Sequence, residues 1–155
     1  MKKIFIFTGL IIVAALSVFL YDKAATQSNY EGLPTVPCLD YTKPVVQDFS
    51  LTLKITINGN VYPINPNIGH DFGNCLHDIF VNDSSGKVYV KANDMEGFTL
   101  GQFFDVWHET FSQNQIFGYQ ADSSHTIKVT VNGKTLVTYR DTPLKANEVI
   151  EIIYQ

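Results

Sequence analysis

One stretch in the middle of the chain, residues 49 to 57, alternates strictly between apolar and polar side chains. Alternation with a period of two predicts a β-strand that buries one face. Asn58 and Gly59 follow, and both residue types tolerate the positive φ angles of a tight hairpin turn. Residues 61 to 64 are predicted to return as a second strand. Pro63 indicates that this strand lies at a sheet edge, because proline has no amide proton to donate to a neighbouring strand.

The same hairpin pattern recurs near the C terminus. Residues 54 to 59 read KITING, and residues 128 to 133 read KVTVNG. Either an internal duplication or convergence on the same turn chemistry accounts for this repeat. A third hairpin is predicted from residues 79–81 and 88–90, and residues 149–154 are predicted to form the final strand.

One amphipathic helix is predicted after Phe98. Thr99 is suited to the N-cap, and Gln102 completes the reciprocal pattern of a capping box. Apolar residues then recur at the spacing of one helical face, which is predicted to enter the core: Leu100, Phe103, Phe104, Trp107 and Phe111. The opposite face is predicted to be solvated: Gly101, Asp105, His108 and Glu109.

Several hairpins with one main helix packed on them indicate an α+β fold with a mostly antiparallel sheet. The closing segment, residues 143 to 153, also resembles the last turn and strand of β-grasp domains. We therefore expect a β-grasp-like domain over residues 49–155.

An uncharged segment runs from Ile4 to Tyr21 behind two lysines. As a helix it would span about 27 Å at ~1.5 Å per residue, close to the hydrocarbon thickness of a bilayer. Residues 1–21 are therefore predicted to be a transmembrane signal anchor or a cleaved signal peptide, and either sends the rest of the chain out of the cytoplasm. Lys2 and Lys3 favour an N terminus inside. We expect a single-pass membrane protein with its domain outside, or a secreted domain after cleavage.

Residues 22–48 contain three prolines among polar neighbours and show no apolar periodicity, which predicts an extracytoplasmic stalk. Residues 24 to 155 carry eight basic and fourteen acidic side chains, a formal charge of −6. No basic cluster is present to neutralise phosphates, so nucleic acid is excluded as a partner. The expected partners are the membrane, through the leading helix, and an unidentified cell-surface protein or small ligand.

The two cysteines, Cys38 and Cys75, both lie on the exported side, where thiols oxidise, and a disulfide between them is predicted. The densest polar cluster of the sequence surrounds the second cysteine: His70, Asp71, Cys75, His77 and Asp78. Zinc and copper prefer thiolate and imidazole ligands. The alternative prediction is therefore a reduced copper or zinc site formed by His70, Cys75 and His77.

Catalytic patterns are not found in the sequence. It has neither the Gly-x-Ser-x-Gly nucleophile elbow nor a glycine-rich phosphate loop. A thiol nucleophile would need Cys75 to be reduced, with a histidine as its base, which the predicted bridge prevents. We therefore expect a non-catalytic extracytoplasmic binding domain without a cofactor, with metal binding as the alternative function.

Residues 36 to 155 resemble a group of small exported prokaryotic proteins of uncharacterised function. The shared residues are Cys38, Cys75, Leu76, His77, Asp83, Ser85, Gly86 and the run from Phe98 to Trp107, which starts Phe-Thr-Leu-Gly. In that group a Leu-His-Thr-His-Asp segment and further histidines imply a metal site. Here residues 79 to 83 read Ile-Phe-Val-Asn-Asp, and Tyr89 and Lys91 replace a later His and Glu. The resemblance thus implies the scaffold of the group, with most of its histidines replaced.

Overall fold

A computed structural model describes residues 36–71 and 74–155 of the chain. The predicted leader, residues 1–21, lies outside the described residues, as does most of the stalk predicted over residues 22–48. Within the two described ranges, no helix is both long enough and apolar enough to cross a bilayer.

The described chain consists mainly of short strands. In chain order these are β1 (Gln47–Ile57), β2 (Asn60–Tyr62), β3 (His70–Asp71), β4 (Cys75–Leu76), β5 (Ile79–Phe80), β6 (Lys87–Ala92), β7 (Gln115–Ile116), β8 (Tyr119–Gln120), β9 (Ile127–Val131), β10 (Lys134–Leu136) and β11 (Val149–Tyr154). One α-helix, α1 (Leu100–Val106), follows β6, and a 3-10 turn (Tyr139–Asp141) follows β10.

The main sheet is mixed. Its strand order is β10-β9-β11-β1-β6-β5, and β2 pairs with the C-terminal part of β1. At the centre, β1 and β11 run parallel, with Thr52 opposite Val149 and Ile57 opposite Tyr154. The other described pairs of this sheet are antiparallel. Two further strand pairs, β3–β4 and β7–β8, lie outside the sheet. The fold is therefore of the α+β kind, as predicted.

The core lies between one face of the sheet and α1. Alternate residues of β1 are buried, since the strand turns every second side chain to the same face. The buried residues of the three central strands are Leu51, Leu53, Ile55, Ile57, Val88, Val90, Ala92, Ile150, Ile152 and Tyr154. From α1, Leu100, Phe103 and Phe104 are buried in the same cluster. The alternation in the sequence thus identifies the buried face of the sheet.

Both Asn-Gly hairpin turns have the predicted conformation. Asn58 and Gly59 have φ angles of 49° and 79°, and Asn132 and Gly133 have φ angles of 51° and 81°. Positive φ at both central residues is the requirement of a two-residue turn that matches the twist of its strands. These turns set the register in which β2 returns along β1 and β10 along β9.

The structure places residues 36–48, which the sequence pattern assigned to the stalk, within the folded unit. Val36 and Leu39 are buried, and the Leu39 amide donates to the Leu76 carbonyl. Further on, the Val46 amide donates to the Ala92 carbonyl, ahead of β1. The apolar residues of this segment show no periodicity, so they give no strand signal. This segment is held by pairing with β4 and by a covalent bond to it.

The helix is shorter than its apolar pattern suggests. It ends at Val106, and His108 has a φ angle of 58°, so Phe111 reaches the core from beyond the helix. The prediction that Gly101 and Asp105 face solvent is wrong. Gly101 is buried against Arg140, and Asp105 binds the Arg140 guanidinium, because the 3-10 turn packs on this face of α1.

Candidate functional site

The polar cluster forms where a short strand pair meets the segment before β1. In the β3–β4 pair, Asp71 lies opposite Cys75 and His70 lies opposite Leu76. Beyond β4, His77 forms a bridge pair with Cys38. Because side chains alternate between faces along a strand, Asp71, Cys75 and His77 project to one side and His70 to the other.

Cys38 and Cys75 form a disulfide, as predicted, with their Cα atoms 5.2 Å apart. They are the two cysteines of the sequence, so the chain has no free thiol in this form. The bridge joins residues 37 positions apart and fastens the segment before β1 to β4.

The imidazole of His77 contacts an acceptor at each of its nitrogens. Nδ1 lies 2.7 Å from the Val36 carbonyl oxygen, and Nε2 lies 2.9 Å from Oδ2 of Asp71. A carbonyl and a carboxylate both accept hydrogen bonds, so each ring nitrogen faces an acceptor. His77 is thereby fixed in orientation beside the disulfide.

The two sulfur atoms and one nitrogen of His77 lie within 4.8 Å of one another, the one such group of three potential metal ligands in residues 36–71 and 74–155. Of the predicted set, the structure thus brings Cys75 and His77 together. His70 is not in this group, and its ring packs edge-on against Phe80 with the centroids 5.7 Å apart. While the sulfurs are bonded to each other, neither is the thiolate that a metal requires.

Asp78 adjoins the cluster but points into the protein. The residue is 2% exposed, and no hydrogen-bond partner within the described chain reaches its Oδ1. Burial raises the pKa of the Asp78 carboxyl to about 6, with a further rise from the charge of Asp94 and an opposing effect of His77. Its backbone amide donates to the Pro37 carbonyl at 3.0 Å, which adds to the attachment of the N-terminal segment.

The other two histidines are held in turns or at element ends. His108 is exposed and follows α1 in a left-handed conformation. His125 lies 3.1 Å from Oδ1 of Asp122 through Nδ1, and its ring stacks on Tyr154. Backbone hydrogen bonding from Ser124 and the contact with His125 lower the pKa of Asp122. These contacts stabilise the turn before β9.

A groove of about 230 Å³ lies elsewhere on the molecule, between β1, β2, β11 and the turn before β6. It contains apolar and charged groups together: Lys54, Val61, Pro63, Gly86, Glu151 and Ile153. Lys54 Nζ lies 3.4 Å from Glu151 Oε1, and Val61 is 83% exposed. Sequence reasoning missed this groove. The edge-strand signal at Pro63 pointed near it, but the groove depends on β2 and β6 sharing one side of β1.

No protein-family model matches the sequence, and neither the curated proteins nor the solved structures contain a match to it. The geometry of the cluster and of the groove is therefore what bears on function.

Proposed function

We propose that this chain is an extracytoplasmic binding domain, tethered to the membrane by residues 1–21 or released after their cleavage, that catalyses no reaction. The observation that carries the proposal is the Cys38–Cys75 disulfide. Structural disulfides form and persist mainly outside the reducing cytoplasm. An uncharged leader followed by an oxidised cysteine pair is consistent with export.

We further propose that the domain is β-grasp-like. The β1–β2 hairpin comes first, α1 follows, and β11 returns at the end of the chain to lie parallel to β1 with β9 on its far side. This order of hairpin, helix and returning central strand supports the resemblance seen in the closing segment. The shared Phe-Thr-Leu-Gly helix start supports kinship with the exported prokaryotic group.

The polar cluster supports a structural role for its side chains. Both sulfurs are in the bridge, and both nitrogens of His77 have partners. A nucleophile and a free base are the minimum for covalent catalysis. In the bridged form these residues supply neither, which favours binding over catalysis.

The groove beside β2 is the proposed binding surface, and its occupant is an extended peptide segment of another cell-surface protein that carries an apolar side chain. Among the described strands β2 pairs with β1 alone, so one backbone edge is open to a further strand. Val61 offers an exposed apolar contact, and the Lys54–Glu151 pair presents both charges. A neutral or weakly charged peptide suits this mixture better than a polyanion, which the charge of −6 over residues 24 to 155 would repel.

Export is tested by titrating thiols in the full-length chain after denaturation without a reductant, together with fractionation of the producing cells. We expect no free thiol, and a chain found in the membrane with its domain accessible to added protease, or in the medium. A soluble cytosolic chain with two free thiols would refute export. Two free thiols together with bound copper or zinc would favour the metal-binding alternative.

Binding is tested with peptides selected by display against the full-length chain, using two matched variants. Val61 and Val137 are 83% and 84% exposed, and only Val61 lines the groove. Val61→Glu should weaken peptide binding by about tenfold or more, since it places a charge on the apolar contact, while Val137→Glu should bind like the parent chain. Equal binding by both variants would exclude the groove as the peptide site.

A further inference from the structure

The junction of the disulfide with His77 contains the ligand types of a metal site, although in the oxidised form the two sulfurs are bonded to each other. The two sulfurs and an imidazole nitrogen lie within 4.8 Å of one another, and the Asp71 carboxylate contacts the same imidazole. We propose that reduction of the bridge by a dithiol converts this junction into a site for a thiophilic divalent cation of the Zn²⁺ class, held by Cys38, Cys75, His77 and Asp71. The inference rests on the geometry of the bridge and is independent of peptide binding at the groove.

The chemical step is a thiol–disulfide exchange. The dithiol gives two electrons and two protons, its own sulfurs join as a disulfide, and the Cys38–Cys75 bond breaks to give two thiols. The cation then binds the thiolate forms, and the two thiol protons pass to solvent. With two thiolates and one carboxylate, the ligand set more than neutralises the charge of the ion.

The spacing of the side chains suits tetrahedral coordination. Zinc–sulfur bonds of ~2.3 Å place two thiolates about 3.8 Å apart around one ion. The Cα atoms of Cys38 and Cys75 are 5.2 Å apart, so rotation of the side chains separates the sulfurs without moving the strands apart. The segment before β1 and β4 stay joined by the hydrogen bond from the Leu39 amide to the Leu76 carbonyl.

The surroundings of His77 are those of a metal-bound histidine. Its Nδ1 donates to the Val36 carbonyl at 2.7 Å, which holds the ring and leaves the lone pair on Nε2. Nε2 faces the Asp71 carboxylate at 2.9 Å, a contact that needs a positive charge or a proton between two acceptors. In the reduced form, a cation bound at Nε2 supplies positive charge between these two acceptors. Asp71 lies outside the group of three ligand atoms in the bridged form, but it is exposed and contacts Nε2, so its carboxylate has room to turn toward the ion.

This site differs from the one that the sequence alone suggested. His70 lies opposite Leu76, on the other face of the β3–β4 pair, and packs on Phe80. Cys38 and Asp71 take part instead. His70 therefore provides a matched control, since it is a neighbouring exposed histidine that is not part of the site.

The test uses the full-length chain, reduced with a phosphine that does not bind zinc and kept free of oxygen. We expect the reduced chain to bind one Co²⁺ with the visible bands of a tetrahedral ion and the near-ultraviolet absorption of cobalt–thiolate bonds, and Zn²⁺ to displace it. His77→Gln should lower zinc affinity about 100-fold and Asp71→Asn about tenfold, while His70→Gln should leave it within about twofold. The bridged chain should bind no cobalt at this place.

Melting curves recorded with the titrations distinguish a metal site that includes His77 from zinc binding by the two thiols alone. Zinc should raise the melting temperature of the reduced parent chain and of His70→Gln, but not of His77→Gln. A reduced chain without a stoichiometric site, equal affinity in parent and His77→Gln, or the same cobalt spectrum in the bridged form would each overturn the proposal. Peptide binding by the bridged chain is measured separately, so either proposal can fail alone.

Discussion

At the scale of single residues, Asp78 is a carboxyl group in an unfavourable position. It is 2% exposed, its Oδ1 has no partner in the described chain, and Asp94 adds a second negative charge nearby. An ionised carboxylate without hydrogen bonds loses hydration that the protein does not replace. Its pKa of about 6 therefore reflects a folded state that prefers the neutral acid.

We predict that this group makes the protein more stable as the pH falls from about 6 to 4. In that range the folded chain keeps a proton on Asp78 that the unfolded chain has released, so the free energy of unfolding decreases as pH rises through this window and levels off above it. The two pKa values imply an effect of up to about 3 kcal/mol. Urea unfolding of the full-length chain at several pH values measures it.

Asp78→Asn supplies the comparison, because an amide does not titrate. The difference in the free energy of unfolding between this variant and the parent chain should grow from pH 4 to pH 6 and then stay constant. A difference that is the same at every pH would show that the Asp78 carboxyl has an ordinary pKa in the folded protein.

Arg140 is predicted to be the most costly surface cation to remove. Its Nη2 lies 2.7 Å from both carboxylate oxygens of Asp105, Nη1 donates to the Phe111 carbonyl, and the two charged side chains are only 29% and 15% exposed. Arg140→Ala leaves the Asp105 carboxylate partly buried without its partner, so we expect a loss of about 2 kcal/mol. Lys43→Ala, which removes an exposed pair with Asp40, should cost less than about 0.5 kcal/mol. Equal shifts in chemical unfolding would contradict this ranking.

At the scale of elements, β1 organises the fold because three other strands pair with it. It pairs with β11 on one side, and with β6 and then β2 on the other. Between the last two ladders the Leu53 amide donates to the Gly86 carbonyl at 2.8 Å, so the strand has no gap in its bonding there. Gly86 has a φ angle of 82°, and a Cβ on it would lie 2.5 Å from the Leu53 carbonyl oxygen.

Gly86→Ala is therefore predicted to cost about 3 kcal/mol or more, through backbone strain and a collision with β1. Gly59 is the matched position, with a φ angle of 79° and no atom within 4 Å of an added Cβ. Gly59→Ala carries the backbone strain alone, so we expect a loss of about 1 kcal/mol. Thermal or chemical unfolding of both variants gives the comparison, and similar losses would mean that β1 yields to the new methyl group.

The start of α1 carries a prediction of its own. The Thr99 hydroxyl accepts from the Gln102 amide at 3.3 Å, and Oε1 of Gln102 accepts from the Thr99 amide at 2.8 Å. Thr99→Ala should lower stability by about 1 kcal/mol because it leaves a helical amide without its partner. Thr135→Ala, an exposed change on β10, is the control. An unchanged denaturation midpoint for Thr99→Ala would show that the hydroxyl contributes nothing.

The sequence correctly predicted the elements that depend on neighbouring residues. The alternation in β1 and the Asn-Gly turns depend on neighbouring residues, and the structure has both. The end of α1 could not be predicted in the same way. The apolar spacing continues to Phe111, although the chain has left the helix at His108. The Phe111 ring is still buried and stacks on Phe104. The apolar spacing therefore reflects which residues enter the core, and it does not show where the helix ends.

At the scale of the whole molecule, the polar cluster and the groove both depend on contacts between distant parts of the chain. The disulfide was predictable from compartment and cysteine count, and the resemblance included Cys75 and His77. The groove and the Asp105–Arg140 pair were not, because they arise only after β2 and β6 share β1 and the 3-10 turn packs on α1. No short window of sequence contains both members of such a contact.

Removing the disulfide is predicted to be the largest single loss of stability. In the loop-entropy description, opening a closed loop of this size costs about 4 kcal/mol. A Cys38→Ser, Cys75→Ser double variant should show this loss in urea unfolding, with faster hydrogen exchange at the Leu39 and Asp78 amides, which donate across the same segment. Exchange as slow as in the parent chain would show that strand pairing alone holds residues 36–39.

The position of the bridge also determines how the domain responds to mechanical load. The described fold is entered at residue 36, and the sulfur link at Cys38 encloses β1 and β2 within a covalent ring that closes at Cys75. Tension applied at residue 36 reaches Cys38 and is shared there between the backbone and the sulfur link into β4. A pull from that end therefore cannot extend residues 38–75 as a linear chain unless the sulfurs are first parted.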